Sequence, residues 1–124
     1  MLVATVALAE PPEAIQRLML DDRAVVGFVS AVQYVHPDKP RPELWINEVG
    51  VSPGHQGRGV GRQLMAALLT AARRDGCAVA WVLTERSNTA ARRLYQAAGG
   101  QEEPDDLVMY EFDLDTADAS AAPA

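Results

Sequence analysis

Gln56-Gly57-Arg58-Gly59-Val60-Gly61 lies between an apolar run that ends at Val51 and a four-residue apolar repeat that begins at Val60. Three alternating glycines at such a junction let the backbone turn sharply and come close to a bulky group. The repeat Val60, Leu64, Leu68, Ala72, flanked by Met65 and Leu69, predicts a helix with one apolar stripe. Its first-turn N–H groups point back into the glycine turn, where the helix dipole favours an anion such as a pyrophosphate. Arg58 and Arg62 add positive charge. A Walker A loop is excluded, because Gly59 is followed by Val60 and not by Lys-Ser/Thr. The dinucleotide fingerprint G-x-G-x-x-G is disfavoured, because Gly57, Gly59 and Gly61 space as G-x-G-x-G.

Working outward, Glu43 to Val51 reads as a strand with Trp45, Asn47, Val49 and Val51 on one face and Leu44, Ile46 and Glu48 on the other. Ser52-Pro53-Gly54 stops it. Upstream, the runs Arg17 to Leu20 and Ala24 to Val35 flank Asp21-Asp22-Arg23, which predicts a hairpin. Downstream, Gly76 stands where a helix C-cap belongs. Ala78 to Thr84 is a short, continuously apolar strand, expected to be central in a sheet. Ser87 or Asn88 caps a second helix with the stripe Ala91, Leu94, Tyr95 and Ala98, closed by Gly99-Gly100. Leu107 to Leu114 reads as a last strand, and 116–124 as a disordered tail. The order β-β-β-α-β-α-β predicts an α/β fold on a mixed parallel and antiparallel sheet.

The chain has 124 residues, which suits one domain, here 1–115. Its single cysteine, Cys77, rules out an internal disulfide or a multi-cysteine metal site, and is expected to be buried and inert. No metal site is expected. No apolar run has the roughly 18 residues of a membrane span, and Met1 to Ala9 lacks the basic flank of a signal peptide, so a cytoplasmic address is expected. The net charge of −6 argues against a nucleic-acid partner. That charge is uneven. Arg58 to Arg93 holds seven arginines against Asp75 and Glu85, or +5, while the rest holds 4 basic and 15 acidic residues, or −11. The middle suits an anionic ligand and the remainder a cationic one.

The glycine turn resembles the Gln/Arg-x-x-Gly-x-Gly/Ala signature of the GCN5-related N-acetyltransferases. Glu48-Val49-Gly50-Val51-Ser52-Pro53 resembles that family's fourth strand, and Asn88-Thr89-Ala90-Ala91-Arg92-Arg93-Leu94-Tyr95 its following motif. The likeness covers Asp21 to about Asp115. Trp45 to Val51 and Val108 to Asp115 are further similar to type I aminoglycoside 3-N-acetyltransferases. The resemblance implies the acyl-CoA N-acyltransferase fold, N-terminally shortened, since about fifteen residues precede Ile15 where the family has a strand and two helices. It implies acetyl-CoA as cosubstrate and a small primary amine, such as an aminoglycoside-like polyamine, as acceptor. Pantetheine would pair with the backbone of Val49 and Val51. Pyrophosphate would sit on Gln56, Gly57, Arg58, Gly59, Val60, Gly61 and Arg62. Asn88 would reach the pantetheine arm, or serve only as a cap.

Tyr95 matches the position of the general acid, although a tyrosine on an apolar stripe also suits a core with its hydroxyl satisfied. The reaction needs a base, because an ammonium group cannot attack a thioester; Glu48 is the candidate, provided burial raises its pKa. His36 and His55 are alternatives, His55 being nearer the phosphates. A protein or peptide amine is a second acceptor class. A non-catalytic acyl-CoA-binding module is the competing reading, and a homodimer is expected to cover exposed apolar surface. In calorimetric titration the chain is expected to bind acetyl-CoA saturably and NAD not at all; comparable NAD affinity would reverse the reading of the glycine spacing.

Overall fold

The computed structural model describes residues 2–5, 14–103 and 106–115. Five strands, β1 (Leu2–Thr5), β2 (Ala14–Asp21), β3 (Ala24–Tyr34), β4 (Glu43–Val51) and β5 (Val79–Val82), form one sheet in the order of the sequence. β1 to β4 pair antiparallel, and β5 pairs parallel to β4. The parallel pair is joined by helix α1 (Val60–Arg74), as a crossover requires, and helix α2 (Thr89–Ala97) follows β5. The β2–β3 turn places Asp22 at φ 47° and Arg23 at φ 68°. Two successive left-handed residues match the twist of a tight hairpin, and aspartate tolerates that region better than most.

The core lies between the sheet and α1. Met19, Val29, Leu44 and Ile46 from the strands meet Val60, Leu64 and Leu68 from the helix, all almost fully buried. Each such side chain contributes roughly 1.5–3 kcal/mol relative to exposure. α1 ends as its sequence indicates: Gly76 takes φ 81°, and the N–H groups of Asp75, Gly76 and Cys77 return to carbonyls of the last turn. The Arg41 guanidinium donates to the Gly76 and Cys77 carbonyls at 3.0 and 3.1 Å, and the Ala78 N–H donates to Pro42 at 2.9 Å. These contacts deliver the chain from α1 into β5 beside β4. Cys77 is buried, which raises its thiol pKa, in keeping with an inert side chain.

Three expectations are corrected. The alternation along β4 does not run through to Val51. Ser30 pairs with Glu48 but Ala31 pairs with Ile46, so Asn47 is an extra residue, a β-bulge. The bulge puts Val49 and Val51 on the core face with Leu44 and Ile46, and leaves Glu48 on the opposite face. Secondly, among the described residues β5 is an edge strand, not a central one; Val79 and Trp81 are 49% and 38% exposed. Thirdly, Leu107 to Leu114 pairs with no strand and is exposed throughout, so the edge of β5 stays open among the described residues. The expected tail at 116–124 lies outside the described residues.

Leu68 is fully buried under the sheet. Leu68→Ala is expected to lower unfolding free energy by about 2–5 kcal/mol, the range for a buried leucine whose site cannot collapse. Urea unfolding followed by far-UV circular dichroism measures it, and a loss under about 1 kcal/mol would mean α1 is not seated as described.

Candidate functional site

The bulge at Asn47 coincides with the end of the β4–β5 ladder. The ladder runs from Glu43–Val79 to Ile46–Val82 and stops. Beyond it β5 gives way to the loop 83–88, while β4 continues to Val51. Among the described residues, one backbone edge of 48–51 therefore has no strand partner on that side. The gap so formed leads to the glycine turn and the start of α1.

The turn is built from short-range restraints. Pro53–His55 makes one 3-10 turn, closed by the His55 N–H on the Ser52 carbonyl at 2.8 Å. The Gln56 side chain donates to the Val51 carbonyl at 3.2 Å, which holds the turn against β4. Gly57 and Gly59 take φ 76° and 79°, a region that disfavours any side chain. Gly61 suits the turn for another reason: a Cβ there would crowd the Leu94 side chain of α2 at 3.2 Å. Gly59 is itself the N-cap of α1, so no side chain satisfies the first-turn N–H groups. Val60 is buried and can offer a ligand only its backbone, while Arg58 and Arg62 are exposed. With Gly59, Arg62 lines a groove of about 500 Å³ that continues along Gln63 and Ala66 to Ala97 and Ala98. Gln63, Ala66 and Ala97 were not singled out from sequence, and Ala98 only as part of an apolar stripe, because small residues on two helices carry no mark of the groove they leave between them.

A second restraint was also not foreseen. Asp21, at the end of β2, holds the His55 Nε2 at 3.0 Å, and the His55 Nδ1 is buried without a partner. The hydrogen bond from His55 is the main cause that keeps the Asp21 carboxyl below its usual range, aided by the charges of His55 and Arg58. This pair ties the β2–β3 turn to the glycine turn. Nothing local in sequence marks it, since the two residues are 34 apart.

The remaining candidates divide. Val49 and Val51 point into the core, so only their backbone faces the gap. Asn88 is the N-cap of α2, its Oδ1 accepting from the Ala91 N–H at 3.1 Å. Tyr95 is half-buried on α2, packed at the edge of the core, and burial pushes its phenol pKa up. Glu48 is exposed. The burial expected of it is absent, because the bulge turns it away from the core. His36 is bound to the other end of β4, 3.3 Å from Glu43, and five residues of strand, about 16 Å, separate that end from Glu48. His36 also stacks on Tyr34, which continues into a row of rings, Tyr34–Trp45 at 5.9 Å and Trp45–Trp81 at 5.3 Å. Among the described residues no cluster of His, Cys, Asp or Glu could hold a metal ion, and no helix is long and apolar enough to cross a membrane.

An open strand edge, a left-handed glycine turn and an uncapped helix start suit an elongated ligand that carries amides and a phosphate group. Comparison with known proteins agrees. The sequence profile described as "Acetyltransferase (GNAT) family" matches residues 5–99. The uncharacterized N-acetyltransferase YycN of Bacillus subtilis is 32% identical over 104 residues, covering 82% of this chain and 63% of its own length. The chain thus spans less than two thirds of that relative. Among crystal structures, the aminoglycoside acetyltransferase meta-AAC0020, from an uncultured soil metagenomic sample, superposes with a TM-score of 0.78 at 17% identity, over 84% of this chain and 68% of that one. The aminoglycoside N-acetyltransferase AAC(6')-Iy in complex with CoA gives a TM-score of 0.70 at 25% identity, over 83% of this chain and 78% of that one.

Asp21 has a lowered carboxyl pKa, so its contribution is present above the usual carboxylate range and is lost as pH falls through the lowered value. Asp21→Asn is therefore expected to be less stable than the parent at neutral pH and equal to it at strongly acidic pH. Urea midpoints from pH 7 downward test this, and a difference that persists at the acid end would exclude the hydrogen-bonded Asp21 carboxylate as its source.

Proposed function

The chain belongs to the acetyltransferase (GNAT) family, and from that premise we propose that it moves an acetyl group directly from acetyl-CoA to a primary amine. The observation that carries this reading is the parting of β4 and β5 after Ile46–Val82, in front of an α1 whose first turn no side chain caps. Pantetheine is an extended diamide, and it fits the open backbone of Val49 and Val51 as a short additional strand. The pyrophosphate fits the N–H groups of Gly57 to Arg62, with Arg58 and Arg62 supplying countercharge. Gln56 acts from behind, by holding the turn on Val51. Asn88, its carbonyl committed to the cap, offers its NH2 to an amide oxygen of the same arm.

In the reaction the neutral amine nitrogen attacks the thioester carbonyl carbon. A C–N bond forms, the C–S bond breaks, and the amine loses a proton. Glu48 takes that proton, and its exposure favours passage through water. The departing sulfur is protonated by the Tyr95 hydroxyl, which the burial of the ring keeps in its protonated form at neutral pH. Glu103, Asp106, Glu111 and Asp115 are exposed on the C-terminal segment and draw a polycation towards the site. That charge, with the likeness to AAC(6')-Iy, favours an aminoglycoside-like polyamine over a protein or peptide amine. The acting unit is 1–115, its donor is a cytoplasmic metabolite, and a homodimer covers its exposed apolar surface. The exposure of Glu48 favours one other reading, an acyl-CoA-binding module without turnover.

Glu48→Gln and Tyr95→Phe separate the two. For an acetyltransferase each is expected to lower kcat by about 100-fold or more, the usual weight of a general base or acid. Acetyl-CoA affinity measured by calorimetry stays as in the parent. Thiol release unaffected by both variants would remove these residues from catalysis, and acetyl-CoA binding with no thiol release from any amine would favour the binding module.

A further inference from the structure

The crest of the glycine turn stands in open space. At Gly54, Gly57 and Gly59 a Cβ would meet nothing within 4 Å, so packing does not hold the crest where it is. Its two feet are held, and both stand on the end of the β2–β3 hairpin. After the turn, Val60 lies so close over Gly27 that a Cβ on Gly27 would meet its side chain at 2.8 Å. Before the turn, the Ser52 N–H donates to the Val26 carbonyl at 2.7 Å. His55 on Asp21, at 3.0 Å, adds a side-chain tether one residue before Gln56 and two before Gly57. The His55 side chain is only 21% exposed, and its Nδ1 has neither solvent nor a partner. Asp21 therefore decides how the ring is turned. The glycines that follow have no side chains to correct a misplaced start.

We infer that His55 and Asp21 are positioning residues of the donor site: their hydrogen bond fixes the glycine turn in the conformation that receives the pyrophosphate, and so sets affinity for the donor through the turn and not by contact with it. The inference rests on the acetyl-CoA reading. Main-chain N–H groups hold a phosphate only when they converge on it. A turn shaped in advance spares the ligand the cost of ordering it. Charge alone makes the opposite forecast. The Asp21 carboxylate is near enough to Arg58 for the two charges to act on each other, so it opposes an anion at the turn. Removing it tightens phosphate binding if charge is its whole effect, and loosens binding if it holds the turn.

The test uses the whole chain, with acetyl-CoA followed by calorimetry. Pantetheine, which carries the amides without the pyrophosphate, is followed by ligand-observed NMR. His55→Ala and Asp21→Ala are each expected to weaken acetyl-CoA binding about 10-fold or more, the weight of one charge-assisted hydrogen bond. The double variant is expected to lose no more than either single one, because both remove the same bond. His55→Gln, whose amide N–H can reach Asp21, is expected to recover most of the loss. Pantetheine is expected to bind the parent and every variant alike, which a general loosening of the fold would not allow. In turnover the loss falls on KM for acetyl-CoA, with kcat within about 2-fold of the parent. Acetyl-CoA binding that is unchanged or tighter in Asp21→Ala overturns the inference and leaves the acetyl-CoA reading standing. So does pantetheine binding that weakens in step with acetyl-CoA. A parent that binds no acetyl-CoA overturns that reading, and the inference with it.

Discussion

Four residue pairs of parallel ladder, Glu43–Val79 to Ile46–Val82, hold β5 to the rest of the sheet, and the shape of the site depends on where they stop. A parallel ladder is slightly weaker per residue than an antiparallel one, and this one is short. It is reinforced from outside by the Arg41 fork on Gly76 and Cys77, by Ala78 on Pro42, and by the Trp45–Trp81 stack. The bulge at Asn47 marks its end. An extra residue in β4 increases local twist and turns the strand away from its neighbour. The gap and the approach to the glycine turn are consequences of that single insertion.

The legible parts of the fold were those set by local chemistry. α1 declares itself through Val60, Leu64 and Leu68, its C-terminus through Gly76, and the cap of α2 through Asn88. The glycine turn was read for the right reason at Gly57 and Gly59, whose backbone needs a left-handed φ; the reason for Gly61, contact with Leu94, depends on two helices meeting. The bulge was not legible. Trp45-Ile46-Asn47-Glu48-Val49 alternates well enough on paper, and only the pairing with Ser30 and Ala31 shows that one residue is surplus. For the same reason the placement of Glu48 came out differently from its expected burial. A strand register is a property of two segments, and one sequence window contains only one of them.

Leu107 to Leu114 is the opposite case. Its alternation is as clear as that of any strand in the chain, yet among the described residues no strand of its own sheet receives it. Pattern specifies which face a segment would bury, and leaves open whose surface buries it. Asp21 and His55 teach a related lesson at the site. Each looked ordinary, a turn acid and a histidine before a loop, until the fold brought them to 3.0 Å. The charge pattern is of another kind, since a cationic centre and acidic flanks are sums over many residues and do not depend on any one register.

Gly59 at the head of α1 has a cost that the geometry of the turn conceals. A serine or aspartate at a helix N-cap satisfies a first-turn N–H, a gain over glycine of about a few tenths of a kcal/mol, and at the left-handed φ of this position it would also be strained. It would also compete with any anion for the same hydrogens. The chain forgoes the internal cap, so an anion that settles there completes the helix. Occupancy and folding stability become one equilibrium: whatever fills the turn raises the melting temperature in proportion to the logarithm of its concentration.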